Sequence, residues 1–397
     1  MIQLASKDLC TSCGACAYVC PKKCITMGEN ELGIIYPIMD DTDCISCKLC
    51  HKVCPILTPL KPHEPKKAFA AWSSDKEERR TSASGGVAAE VYKEALRECY
   101  HIAGAKQNED FTVTLHASDK AESIKDFKNS KYVFSSAYAL YPEIKDLLGQ
   151  GEKVAVIGLP CQIAALRRIF RDNENLLLIE VVCHGTTPHS YLMQHIRALE
   201  HQTGEKSVRM SFRDPELYTY TYTFTLYNAD NHRIYAQRTK DGDTYQFGYH
   251  RTVTYRENCY HCPFARDRRI ADVTLSDYKG LGEMAPCSYD NTKVSSVLVN
   301  TSKGEAFVKH LIEIQRIVAD ERPVREPIEG DLQLRQPSIK TPARFDFERL
   351  IEKNNGDFEK TMKEVMILNE RREKIMKIKS LPRRALRKMK RIIFKNK

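Results

Sequence analysis

Nine of the fifteen cysteines in this 397-residue sequence fall before residue 55, and eight of those form two copies of one spacing. Cys10, Cys13, Cys16 and Cys20, closed by Pro21, recur at an offset of 34 as Cys44, Cys47, Cys50 and Cys54, closed by Pro55. In a C-x2-C-x2-C-x3-C-P run, three close thiolates wrap one face of a cubane while the fourth crosses to the other cluster. The spacing predicts two [4Fe–4S] clusters, one on Cys10, Cys13, Cys16 and Cys54, the other on Cys44, Cys47, Cys50 and Cys20. Such clusters move electrons one at a time. Zinc sites use paired C-x2-C units, usually without the third cysteine or the C-P step. Cys24 stands outside the repeat, since Thr58 occupies its offset position, and reads as a small buried neighbour of a cluster. Cys99 and Cys287 have no partners at ligand spacing and read as structural.

Four further cysteines are spaced differently. Cys161 follows the apolar run Val154–Leu159, and Cys183 follows Leu176–Val182. With Gln162–Phe170 as the crossover helix, these segments predict a βαβ unit. If the two strands are parallel neighbours, both thiols emerge at the carboxyl edge of the sheet, where α/β folds build sites. Cys259 and Cys262 form a C-x2-C in a Tyr- and Arg-rich segment that could close over that edge. Spacing alone leaves two readings: one four-thiolate centre, or two inert cysteines beside a separate C-x2-C.

Ser82, Ser84, Gly85 and Gly86 precede a helical pattern running to about Leu96, after a strand expected over Ala68–Trp72. A Gly/Ser loop at a helix N-terminus offers backbone N–H groups to a phosphate, although Gly-Gly is often only a turn. Arg80 lies close enough to join such a contact. Arg213, Arg256 and Arg269 are further candidates for phosphate or acidic groups.

These residues need a scaffold of more than one unit. Residues 1–58 form the cysteine repeat, 59–67 a Pro-rich linker, 68–150 and 151–320 an α/β body, and 321–397 a helical extension. From Val208 the pattern turns antiparallel. Tyr218, Tyr220, Tyr222 and Phe224 alternate with threonines, as a half-buried strand or an aromatic platform, and Asn228–His232 supplies a turn into Arg233–Gln237. Ile270–Leu275 and Val294–Asn300 read as strands, with a helix near Lys303–Gln315. The fold class is therefore α+β: a ferredoxin module, an α/β domain with an antiparallel portion, and a helical tail.

The net charge of +10 is not spread evenly. Arg371–Lys397 contains 13 basic residues and one acid, so removing its +12 leaves the preceding residues at −2. The opening residues hold Lys7 and Asp8 and no apolar signal-like run, and uncharged stretches such as Val154–Leu166 are too short to cross a bilayer. A reducing cytoplasm is the expected location, because the cysteine pattern is a metal pattern. In the tail, Ala385, Leu386, Met389, Ile392 and Ile393 gather opposite Arg384, Arg387, Lys388, Arg391 and Lys395. That face suits an anionic membrane surface as well as it suits a solvated or partner-docked helix, whereas nucleic acid is disfavoured by the near-neutral body.

Taken in order, Arg80–Gly86, Ser130–Val133, Gly158–Gln162, Cys183–Gly185, Ser211–Arg213 and Cys259–Ala265 leading to Asp272 and Asp277 resemble the family of beta subunits of the coenzyme F420 hydrogenases and dehydrogenases. The resemblance runs from residue 1 to about 320. It implies FAD in the α/β domain, with Ser82, Ser84, Gly85, Gly86, Lys131, Gln162 and Asp277 as contacts. It also implies a third [4Fe–4S] cluster on Cys161, Cys183, Cys259 and Cys262. One departure is clear: where the family has Gly-Asp-Phe-Trp-Gly, this chain has Ser276-Asp-Tyr-Lys-Gly280, which counts against the deazaflavin coenzyme F420 itself. The resemblance implies an oxidoreductase taking electrons from a ferredoxin-like or other redox partner to a flavin that exchanges hydride with an organic substrate, in a setting such as polysaccharide synthesis. A clusters-only electron-transfer subunit docking on a separate catalytic chain is the alternative.

Overall fold

The computed structural model describes residues 3–30, 33–217 and 219–395, the side chains of 220 and 380–395 excepted. The internal repeat of the first segment is also a repeat of backbone conformation. Ser12 and its counterpart Ser46 have φ of 56° and 53°, and Gly14 and Lys48 have φ of 78° and 59°. These left-handed residues fold each cysteine run back on itself, and one short helix follows in each copy, Ala15–Val19 and Leu49–Val53. Each helix ends at the crossing cysteine, Cys20 or Cys54, in extended backbone. Between the copies, β1 (Ile25–Glu29) and β2 (Ile35–Met39) form an antiparallel hairpin.

The body is built on a nine-stranded mixed sheet. Its strands are β3 (Lys67–Ser73), β4 (Tyr100–Gln107), β5 (Val113–Ser118), β6 (Ser135–Ser136), β7 (Lys153–Gly158) and β8 (Leu176–Val181). After the separate three-stranded sheet of β9 (Arg209–Ser211), β10 (Thr223–Tyr227) and β11 (Arg233–Arg238), the chain returns with β12 (Val273–Asp277), β13 (Ser295–Val299) and β14 (Ile317–Arg322). The spatial order is β14-β3-β13-β12-β8-β7-β4-β5-β6. The centre, β12-β8-β7-β4, is parallel, and the apolar runs of β8 and β7 are buried as expected of strands covered on both faces. The flanking pairs β12–β13, β13–β3, β3–β14 and β4–β5 are antiparallel.

The expected βαβ unit is present: β7 and β8 are parallel neighbours joined by the helix Pro160–Phe170. The expected helix after Gly86 spans Val87–Arg97, and the one after β13 spans Ser302–Glu313. Three expectations shift. The strand read over Ile270–Leu275 begins at Val273, after Arg269 has formed an isolated bridge with His63. That bridge holds the Pro-rich segment against the body, so it is not a free linker. The alternating run from Tyr218 becomes a strand only at Thr223, because Thr219–Thr221 is a 3-10 turn and Tyr222 has φ of 51°. Tyr218 and the side chain of Tyr220 lie outside the described residues.

The helices Pro342–Lys353 and Phe358–Lys395 do not simply extend from the body. Phe347, Leu350, Phe358, Met362 and Val365 share a core with Tyr191, Leu192, Phe224 and Tyr245. Beneath them, His195 bonds Asp243 at 3.1 Å and Glu359 at 2.7 Å, tying three elements together. The side chains of the basic face expected from Arg384 to Lys395 lie outside the described residues. Among those described, no helix is long and apolar enough to cross a membrane.

Candidate functional site

The thiols of the repeat sort into two cavities. Cys10, Cys13, Cys16 and Cys54 line one, which Cys50 also touches; Cys20, Cys44, Cys47 and Cys50 line the other, together with Cys24. The crossing of Cys54 and Cys20 between the two runs is the arrangement expected of a two-cluster ferredoxin. Burial and neighbouring thiols raise Cys13 to about 11 and push Cys16 higher still. A set of buried thiols that resist ionising together suits a centre whose iron supplies the compensating positive charge. Cys24 is buried, with its sulfur 3.4 Å from that of Cys20. Cys99, by contrast, is exposed and makes no core contact of the kind a structural cysteine would.

Cys161, Cys183, Cys259 and Cys262 meet in a third cavity at the carboxyl edge of β7 and β8. Cys161 sits in the first turn of the helix that follows β7, and Cys183 lies just beyond β8. The other two arrive on the 3-10 turn Glu257–His261 and the residue after it. Burial raises Cys161 well above its ordinary range, and the thiols of Cys183, Cys262, Cys259 and Cys13 add to that rise. Cys183 is raised for the same reasons, and Cys262 reaches about 11. Four converging soft donors fit an iron–sulfur cluster or zinc.

Two arginines expected as anion ligands do other work here. Arg269 is buried against Glu180 of β8 at 2.5 Å and donates to the carbonyls of Phe264 at 3.0 Å and Arg266 at 2.7 Å. It thereby fixes the Cys259–Cys262 segment over the sheet edge, and its charge is spent. Arg256 reaches the ferredoxin module, donating to Thr11 O at 3.2 Å and Cys10 O at 3.4 Å, and to the Ser12 hydroxyl. Tyr141 adds a 2.6 Å hydrogen bond to Cys13 O. These contacts hold the first cluster cavity against the third, and Cys13 lines both.

A larger cavity of about 330 Å³ opens beyond the third set of cysteines. Ser82, Ser84, Gly86, Lys131, Gln162 and Asp277 all line it, so six of the seven residues expected to contact flavin come together. Gly85 does not. Its N–H is bonded to Ser295 Oγ at 3.0 Å, and a Cβ there would lie 2.5 Å from Ala71 O. Gly85 is therefore required for packing the loop on β3 and β13 rather than for close approach to a phosphate. Arg80 also turns away, pairing with Glu77 at 2.6 Å on the surface.

Cations dominate one end of this cavity. The helix Val87–Arg97 opens there with no side-chain cap at Gly86, and Lys128, Lys131 and Arg213 line the walls. Lys293 reaches the same place, contacting Ser82 O and Thr219 Oγ1. Burial lowers Lys131 to about 8; burial, then Arg213, lowers Lys293 to about 8. An anion placed between these amines would restore their charge, so the residues fit the phosphates of a dinucleotide.

An aromatic wall adjoins these cations, with Arg213 4.7 Å over the ring of Tyr222. Tyr249 lies in it, stacked on Tyr132 with centroids 4.3 Å apart, beside Tyr222 and His250. Gln246 donates its amide to Phe212 O and Tyr222 O, so its carbonyl accepts from Nε2 of His250 at 3.1 Å. That leaves His250 Nδ1 as an acceptor; burial, with His184 and Arg213 adding to it, lowers the imidazole to about 4 and keeps it neutral. Lys128, Lys293, His250 and Tyr249 escaped the sequence reading because they carry no spacing signal, whereas Tyr222 lay in the run read as a half-buried strand or an aromatic platform. Only the fold gathers them. In the departing loop, Tyr278 donates to Glu326 at 2.7 Å and Lys279 pairs with Asp331 at 3.1 Å, so each unusual residue has an acidic partner.

Known proteins share both halves of this arrangement. Residues 9–56 match the 4Fe-4S dicluster domain, and residues 151–323 match the C terminus of the coenzyme F420 hydrogenase/dehydrogenase beta subunit. A component of the F(420)H(2) dehydrogenase of Methanosarcina mazei is 23% identical over 81% of this chain and 87% of its own length. The coenzyme F420-dependent sulfite reductase of Methanocaldococcus jannaschii is 28% identical over 42% of this chain, a span that is 26% of that relative. A chain of the F420-reducing [NiFe] hydrogenase complex from Methanosarcina barkeri is 18% identical, with a TM-score of 0.43 over 76% of this chain and 93% of that one. This chain therefore joins a 4Fe–4S dicluster domain to a C-terminal domain of the coenzyme F420 hydrogenase/dehydrogenase beta-subunit type.

Proposed function

We propose that this chain is an iron–sulfur flavoprotein that relays electrons between a redox partner and an organic ligand held in the larger cavity. One observation carries the reading: four cavities stand in series, and each shares lining residues with the next. The outer cysteine set shares Cys50 with the inner set, the inner set shares Cys13 with the third, and the third shares Cys183, His184, Gly185 and Thr186 with the large cavity.

FAD, when bound, supplies two-electron hydride chemistry to a chain whose clusters handle single electrons. The protein's own residues set the conditions. Lys131 and Lys293 would hold the phosphates, Tyr249 and Tyr222 would bound the ring end with Arg213 over Tyr222 and paired with Asp277, and His250 would offer a neutral acceptor. Ser130, Gln162 and Asp277 complete the wall by family resemblance and position. The relatives' names point to deazaflavin substrates, but Lys279 stands where the family has Trp and pairs with Asp331 in the cavity wall, while Tyr278 is buried against Glu326. A different organic substrate follows from that change.

The alternative, a subunit with clusters alone, makes an opposite claim about the large cavity. Anaerobically reconstituted protein titrated with FAD should quench flavin fluorescence at one equivalent per chain, and dithionite should reduce the bound flavin. Absence of saturable FAD binding in cluster-replete protein would leave the clusters-only subunit as the better reading.

A further inference from the structure

The cysteines of the inner and third sets are buried or half-buried, whereas one of the outer set reaches solvent. Cys47 is exposed. Ile45 and Leu49 line the outer cavity yet remain 59% and 38% exposed, an apolar lip around the entry to the series. The two segments that wrap this cavity, 20–24 and 44–54, contain Lys22, Lys23, Lys48 and Lys52 and no acidic residue. All four lysines are exposed, and none forms an ion pair among the described residues. The nearest acids along the chain are Asp40, Asp41 and Asp43, just before Cys44. Because the chain before residue 371 sums to −2, this positive rim is local and not a reflection of overall charge.

We propose that this lip is the docking surface for a small acidic one-electron carrier protein. The inference rests on the relay reading and adds where the relay is entered and by what chemistry. An apolar centre with a charged rim is the usual anatomy of a transient contact: the centre excludes water, and the rim steers encounter. Four unpaired lysines around a cluster mouth would attract an acidic partner and repel a basic one. The carrier gives up one electron to the outer cluster and is itself oxidised by one, so the exchange balances without a proton or leaving group.

The test uses full-length, cluster-replete protein in stopped flow, with a reduced acidic bacterial ferredoxin as one donor and dithionite at high ionic strength as the other. Joint replacement Lys22→Glu, Lys23→Glu, Lys48→Glu and Lys52→Glu should slow reduction by the ferredoxin roughly tenfold or more at low salt. The deficit should shrink as salt is added, while iron content and the dithionite rate stay near wild type. Ile45→Ser with Leu49→Ser should weaken the ferredoxin reaction with little change in its salt dependence. Wild-type rates with ferredoxin in the charge-reversed protein would overturn the proposal. So would a stable dimer, found by sedimentation, that the Ile45 and Leu49 changes dissolve. Failure of dithionite to reduce the wild-type clusters would instead overturn the relay itself, and the docking surface with it.

Discussion

Lys131 and Lys293 show how a residue's chemistry depends on what is gathered around it. Each is an ordinary lysine in the sequence, and each is brought to about 8 by burial beside the large cavity. An anion bound between them raises both values, so binding takes up protons once the pH exceeds the free protein's pKa. The FAD dissociation constant should be flat below about pH 8 and rise above it, by up to about tenfold per pH unit for each amine involved. Fluorescence titrations from about pH 7 to about pH 9.5 check this, and Lys131→Met should remove part of the slope; a constant affinity across that range would refute the assignment. The cluster cysteines were legible at this scale because their chemistry demands close sequence spacing. Of the large-cavity residues, Ser82 was legible from its Gly/Ser loop before a helix, Lys131, Gln162 and Asp277 only through family resemblance, and Lys293 and His250 not at all. Gly85 shows the converse, a glycine whose motif suggested a phosphate while its backbone in fact packs on a strand.

Among the elements, the βαβ unit was the most readable, since Val154–Leu159 and Leu176–Val182 are apolar runs bounding a helical pattern. Its parallel pairing places Cys161 and Cys183 together. The edge strand β14 and the penultimate strand β5 were not read, because short, partly exposed strands lack a clear apolar period. Nor did the charged C-terminal sequence reveal that Phe358 and Met362 are fully buried. The His195 contact to Asp243 and Glu359 has a testable signature. Burial disfavours its charge, but the two carboxylates outweigh burial and raise His195 to about 9. A raised folded value stabilises the protein fully below the unfolded value of 6.5, and that contribution is lost as the pH rises through about 9. The stability advantage of wild type over His195→Asn, on the order of 3 kcal/mol at acidic pH, should shrink across that window in urea titrations. A pH-independent difference would show that His195 acts by shape alone.

The whole molecule turns three distant stretches of sequence into one path. Arg256 and Tyr141 clamp the ferredoxin module, Arg269 and Glu180 hold the Cys259–Cys262 segment, and β7 and β8 present the remaining two thiols. Nothing in the spacing of Cys161, Cys183, Cys259 and Cys262 required them to meet, because their convergence is a property of sheet order and of one docked loop. The path depends on that convergence being a metal centre. Iron content per chain after anaerobic reconstitution measures it directly. Wild type should hold about 12 iron atoms, and Cys161→Ala about 8 with the two ferredoxin-type clusters still reducible by dithionite and the flavin no longer reduced through them. About 8 iron atoms in both proteins would contradict the third centre and break the series at its middle.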